Sequence, residues 1–138
     1  MYLLTMGPGT NLGFPDVCIT PVPSPVGPVP TPIPYPNINV PVNSSPVATS
    51  VLAVCMPVIN QSSQGLLSSG DEPGTMGGVA SHRMIGQTSY ELGCFTIFID
   101  GPPAQRLTSM TGQNAMGKLM NTPGTCIAPT QTTVLTLG

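Results

Sequence analysis

The stretch PDVCITPVPSPVGPVPTPIPYPNINVP, residues 15–41, decides how the rest of the chain is read. Pro28, Pro30, Pro32, Pro34 and Pro36 alternate with Val29, Thr31, Ile33 and Tyr35. In an extended backbone, alternate residues present their N–H groups to opposite edges. All five prolines therefore blank one edge and leave the other free to pair, as in an edge strand or a polyproline-like ribbon. A flexible linker, or a mobile ligand for a proline-binding domain, is the competing reading. The apolar alternate face, Val29, Ile33 and Tyr35, favours an ordered strand.

Working outward, the composition restricts the function classes. Only 6 % of the 138 residues are charged, against about 25 % in an average globular chain. Three basic residues cannot build the phosphate-neutralising surface that nucleic-acid binding needs, so that class is set aside. Disorder driven by charge does not fit either, because 40 % of the residues are hydrophobic. Proline and glycine together make up about a quarter of the chain, but Val, Ile, Leu and Met are spread from end to end. An uncharged, apolar-rich surface suits a subunit that covers much of itself with partners. No run approaches the length of a transmembrane helix. The opening MYLLTMGPG lacks the basic start of a signal peptide, and the expected location is the cytoplasm. The four cysteines are then expected as thiols or metal ligands rather than disulfides.

Helix signals are weak because proline and glycine rarely leave ten residues clear. Positions 104–120 are the best helical candidate, and Gly112 and Gly117 cut them; at most one short helix is expected. Strands are predicted over 51–56 (VLAVCM), 94–99 (CFTIFI) and 132–137 (TTVLTL), and Asp100-Gly101 is a tight-turn signal. The class is all-β, a single small domain of short strands and many Pro/Gly turns.

Chemistry-bearing residues are few. Cys18, Cys55, Cys94 and Cys126 are spaced by 32 to 39 residues, a crude internal periodicity. There is no C-x2-C pair and no His-x3-His, so the strong zinc spacings are missing. The four thiols and His82, the single histidine, either converge on a Cys/His tetrahedral site or serve as buried apolar thiols. A Cys94–His82 pair with Glu91 or Asp100 as orienter is the one nucleophilic arrangement on offer. The glycine string 74–78 lacks the Lys-Ser/Thr of a phosphate loop. No enzyme is expected.

Taken in order, FPDVCITP (14–21), GPVPTPIPYPNI (27–38), SSGDEPGTMGGVAS (68–81), GPPAQRL (101–107) and NTPG…APTQTTVL (121–135) resemble the PAAR-like domain of bacterial type VI secretion systems. The proline tract and the Gly-Asp-Glu-Pro-Gly-Thr block are the specific motifs. The resemblance begins near residue 12, which divides the chain into a lead segment, 1–11, and a domain, 12–138. It implies a small β-rich cone or pyramid that sharpens the spike by capping the VgrG trimer, one tip per trimer. In that role the protein waits in the bacterial cytoplasm, is secreted with the spike, and crosses the target membrane transiently without a transmembrane segment of its own. Because little chain flanks the match, a bare tip or an effector-loading adaptor for a separate toxin is expected. Strand 132–137 is expected to help cap the spike's strand ends. Tips of the related PAAR family hold zinc through several histidines and a cysteine. This chain has Gln113-Asn114 where a further histidine was to be sought, so Cys18, His82, Cys94 and Cys126 are the candidate Zn2+ ligands, with Cys55 spare.

Overall fold

The computed structural model describes residues 1–137. About 53 % of the chain is strand and 2 % helical, with no helix of seven residues or more; the all-β expectation holds. Eleven strands follow one another: β1 (Thr10–Val22), β2 (Val29–Asn39), β3 (Ser44–Ser45), β4 (Ala48–Ala53), β5 (Met56–Val58), β6 (Gln64–Gly65), β7 (Gln87–Leu92), β8 (Cys94–Phe98), β9 (Pro103–Ala104), β10 (Met110–Ala115) and β11 (Thr122–Ala128). Among the described residues, the single helical turn is a 3-10 segment at Pro41–Asn43. Seven strands form an antiparallel sheet in the order β2-β1-β11-β10-β7-β6-β3, and β4-β5 and β8-β9 form two separate hairpins.

The proline tract is the edge strand of the main sheet. Val29 pairs with Val22, Thr31 with Thr20, Ile33 with Cys18 and Tyr35 with Asp16. The other edge of β1 is occupied here by the segment 76–79: Ile19 N–H donates to Gly77 O (2.8 Å), Met76 N–H to Ile19 O (3.1 Å) and Val79 N–H to Val17 O (3.0 Å). Odd residues of β1 thus face that segment, so even residues, and their partners Val29 to Tyr35, face the β1–β2 ladder. The prolines fall on the solvent edge, where a missing donor costs nothing and a further strand cannot add.

The core is unusual in what it contains. Among the described residues, buried polar side chains outnumber buried apolar ones, and many large apolar residues, Val26, Leu52, Phe95 and Phe98 among them, lie exposed. The apolar core reduces to two small clusters. One joins Leu3, Ala48, Ala53, Val58, Ile99 and Ala104; the other joins Leu4, Ile59, Tyr90 and Cys126. Much of what lies inside the sheet is amide and hydroxyl. Asn11 donates to Asn39 Oδ1 (3.1 Å) and Tyr90 OH (3.2 Å), Tyr90 OH also meets Ser44 Oγ (3.0 Å), and Thr88 donates to Gln113 Oε1 (2.8 Å). Most buried polar groups in proteins are paired in this way; here Asn11 Oδ1, Asn37 Oδ1 and both amide atoms of Gln105 are buried without a protein partner. The lead segment contributes Leu3 and Leu4 to the two apolar clusters.

Three sequence-based elements differ from the expectation. The run 51–56 is a hairpin rather than one strand: Ala53 pairs with Met56, while Val54 (φ 54°) and Cys55 (φ 61°) turn the chain. Two central residues at positive φ define the turn that best matches strand twist, and its usual residues are Asn-Gly. Propensity pointed to a strand because Val is a poor occupant of that conformation. The helical candidate 104–120 contains β10 instead, because Met110 to Gln113 find ladder partners in β11 and β7. Residues 132–137 contribute one isolated pairing, Leu135 with Tyr2. Gln131 Oε1 accepts from Thr133 and Val134 N–H, both at 2.7 Å, and the chain start adds Leu3 N–H to Val134 O (3.0 Å) and Thr136 N–H to Met1 O (2.7 Å).

The Val54-Cys55 turn makes a direct prediction. Both side chains are exposed, so Val54→Asn with Cys55→Gly removes left-handed strain without removing core. The double variant is expected to gain roughly 1–2 kcal/mol in urea denaturation; a loss of stability contradicts this turn.

Candidate metal centre

The site starts from one extra residue in β1. Gly13 pairs with Asn37, yet Asp16 pairs with Tyr35, so three steps on β1 match two on β2. A bulge of one residue at Phe14-Pro15 reverses the side-chain phase. Before it the buried positions are odd, Asn11 and Gly13; after it they are even, Asp16 and Cys18. Without the bulge, Val17 and Ile19 would face inward and the two chemically active side chains would face out.

The loop after β6 closes over these side chains. Gly70 adopts φ 117° and lies so near Pro36 O that a Cβ there would stand 2.1 Å from it. Glu72 holds the turn from outside by accepting the Gly70 N–H at 2.9 Å, which leaves Asp71 pointing inward. Gly74 then passes directly over Cys18, at a distance where a Cβ would lie 2.3 Å from the Cys18 Cβ. The Gly-Asp-Glu-Pro-Gly block therefore brings a carboxylate and a bare backbone onto the cysteine.

The result is a cluster in which one ligating atom each from Asp16, Cys18 and Asp71 lies within 4.8 Å of the others, all three residues buried. Cys18 Sγ donates to Asp71 Oδ2 at 3.7 Å. Asn37 Nδ2 donates to Asp16 Oδ2 at 2.6 Å, and Asn121 Nδ2 donates to Asp16 Oδ1. Asp71 accepts Ile85 N–H on both oxygens at 3.2 Å. Asn114 Nδ2 reaches Cys18 Sγ at 3.6 Å. Burial, then the charges of Asp16 and Asp71, push the Cys18 thiol up to about 12. Burial also raises Asp71, opposed by the Ile85 N–H. Every contribution at Cys18 disfavours additional negative charge, which is the electrostatic setting that a cation relieves.

Two asparagines fasten the loop to the sheet. Asn121 Oδ1 accepts Ala80 N–H (2.8 Å) and Ser81 N–H (3.3 Å), while its Nδ2 also donates to Val17 O (2.9 Å). Asn114 Oδ1 accepts Gly86 N–H (2.9 Å) and its Nδ2 donates to Arg83 O (2.6 Å).

Of the ligands expected from sequence, Cys18 is in this cluster and the other three are elsewhere. His82 is exposed in the loop at φ 57°, its backbone N–H on Gly78 O. Cys94 is buried at the start of β8, and a hydrogen bond with Thr96 Oγ1 pulls its thiol below the ordinary value. Cys126 is buried in β11 beside Leu4, Ile59 and Tyr90, and burial pushes its thiol up to about 11. Cys55 is exposed in the β4–β5 turn. Among the described residues, no group of three drawn from these thiols and His82 comes together. The structure brings in two carboxylates instead, Asp16 two residues before Cys18 and Asp71 in the loop motif. Their available signal was the pairing of Asp with Cys across a possible bulge.

Comparison with known proteins gives the chain its place. The family described as Toxin PAAR-like domain matches residues 9–124. The chain belongs to that family. No curated protein and no solved structure matches significantly. The PAAR-like match spans the bulge, the proline strand, the closing loop and both clamping asparagines. It connects the protein with type VI secretion. The family description also names a toxin. The two segments flanking the match bond to each other, Thr5 N–H to Thr130 Oγ1 (2.9 Å) and Gln131 Nε2 to Leu3 O (2.8 Å), and Leu4 bonds into the matched region through Gln105 O (2.9 Å) and Ile59 N–H (3.1 Å).

If Asn121 clamps loop to sheet, Asn121→Ala orphans Asp16 Oδ1 and two loop amides at once. The expected loss is roughly 2–4 kcal/mol in chemical denaturation. A change within about 0.5 kcal/mol, typical of an ordinary surface substitution, contradicts the clamp.

Proposed function

We propose that this PAAR-like domain is the structural tip of a type VI secretion spike. One copy caps the VgrG trimer, sharpens it for membrane puncture and leads effector delivery. The observation that supports this most is family membership over 9–124 in a domain whose apolar side chains lie largely outside. Val51, Leu52 and Val54 on the β4–β5 hairpin and Phe95 and Phe98 on β8 are exposed, which suits a subunit that is covered in its assembly. Low charge favours passage through lipid, where each buried charge costs several kcal/mol. Rigidity in so small a domain comes from proline, which narrows the unfolded ensemble wherever the native φ allows it. The role is structural rather than enzymatic. The chain is made and held in the bacterial cytoplasm and leaves it with the spike. No helix in the described residues is long and apolar enough to cross a membrane, so membrane passage would be as part of the spike.

A second reading on the same spike is an adaptor that loads a separate effector toxin onto the tip. A proline-rich interaction module is less well supported, because β2 is engaged in the ladder with β1 along the length of the tract. Purified VgrG trimer mixed with this chain is expected to elute as one complex with about one chain per trimer, its mass read by light scattering. Separate elution of the two overturns the tip. Capture of the spike with no toxin, from cells that fire the system, removes the adaptor.

A further inference from the structure

Beyond Ile19 the paired strands β1 and β2 leave the rest of the domain as a two-stranded arm. Among the described residues, no hydrogen bond ties residues 20–34 to anything outside the two strands and their turn. Most of the arm is exposed, and Val26 in its turn is 94 % exposed. The arm carries no charge: from Val17 to Gly70 the chain has no Asp, Glu, Lys, Arg or His.

Its hydrogen-bond donors are nearly all removed or engaged at home. Thr20 pairs with Thr31 and Val22 with Val29, and their N–H groups face the ladder. The intervening positions, whose N–H groups would face outward, are proline on both edges: Pro21 on β1, Pro30 and Pro32 on β2. In the turn, Pro23, Pro25 and Pro28 have no N–H, while Val26 N–H donates to Ser24 Oγ (3.3 Å) and Gly27 N–H to Ser24 O (3.0 Å). Ser24 N–H alone is left over. The hydroxyls also bond within the arm: Thr20 Oγ1 meets Tyr35 OH (2.7 Å), Ser24 donates to Gly27 O (2.6 Å) and Thr31 to Val29 O (3.3 Å).

This pattern does more than guard an edge. Lysine protects an edge against strand addition as well as proline does, but only in water, because a charge in hydrocarbon is costly. Proline blocks the edge and also removes the donor that hydrocarbon would leave unpaired. Outward carbonyls remain, and of the two backbone groups these are the more tolerable to leave under-satisfied. We infer that the β1–β2 arm, residues 20–32, enters the hydrocarbon of a lipid bilayer, an inference that rests on the tip reading and names the part that meets lipid. At about 3.3 Å per residue it reaches about 20 Å from Thr20 to Val26, the depth of one leaflet with its headgroups. With no cation on the arm, entry needs no anionic lipid.

An environment-sensitive nitrobenzoxadiazole label tests this when placed on Val26→Cys in a Cys55→Ser background, which removes the exposed native thiol. With vesicles of phosphatidylcholine alone, and of phosphatidylethanolamine with phosphatidylglycerol, its emission is expected to shift to the blue. Quenching by lipids spin-labelled on the acyl chain is expected too, alike at low and high salt. The same label on native Cys55, in the β4–β5 turn, is expected to escape that quenching. Val26→Asp is expected to abolish co-sedimentation of the unlabelled chain with vesicles. Pro21→Ala with Pro30→Ala restores an outward N–H on each edge and is expected to weaken partitioning at least about fivefold, with the urea midpoint confirming the fold. No blue shift at saturating lipid, equal quenching of both labels, or binding indifferent to Val26→Asp overturns the arm. Burial of the Val26 label by VgrG trimer but not by vesicles makes the arm a protein contact and overturns it as well. The vesicle assay contains no spike, so co-elution with VgrG without lipid entry rejects the arm and leaves the tip. Lipid entry without co-elution does the reverse.

Discussion

The structure depends on keeping one buried carboxylate satisfied. Asp16 lies inside a sheet where an uncompensated charge would be costly, and two amides from distant parts of the chain converge on it, Asn37 of β2 and Asn121 at the head of β11. The same Asn121 receives two backbone N–H groups of the closing loop. One ionisable side chain therefore fixes the register of the proline strand, the start of β11 and the path of the loop. Satisfied fully, such a network specifies one arrangement; left partly open, it is worse than an apolar core.

This arrangement explains a composition that first looks unsuited to folding. A domain that exposes Leu, Val and Phe while burying Asn, Gln and Thr cannot rest mainly on apolar burial, and its two apolar clusters are small. Directional hydrogen bonds inside and proline constraint outside take over part of that task. Such a domain has a hydrogen-bonded interior and an apolar exterior, the combination that the proposed tip role calls for. Its PAAR-like membership and its physical character thus lead to the same reading.

Much of the fold was legible in the proline tract, because strict alternation has a single geometric meaning in an extended chain. The all-β class followed from punctuation by proline and glycine. The Val54-Cys55 turn was not legible: two residues with strand propensity occupy positive φ, and only tertiary pairing of β4 with β5 requires it. β10 was read as a weak helix because its partners, β7 and β11, are remote in sequence. The site was half legible. Cys18 stood out as a thiol, but its true neighbours are carboxylates, and their approach depends on a one-residue bulge and on Gly74 lying against Cys18. His82, Cys94 and Cys126 drew attention as residue types, whereas their backbone positions hold them apart.

Buried side-chain amides, more than apolar packing, hold the molecule in one arrangement. Hydrogen exchange of the side-chain NH2 groups of Asn37, Asn114 and Asn121 can be followed by NMR alongside the backbone amides of β1. These groups are expected to exchange only as fast as the β1 amides, through the same global opening. Exchange at the rate of exposed asparagines, while β1 remains protected, would contradict it.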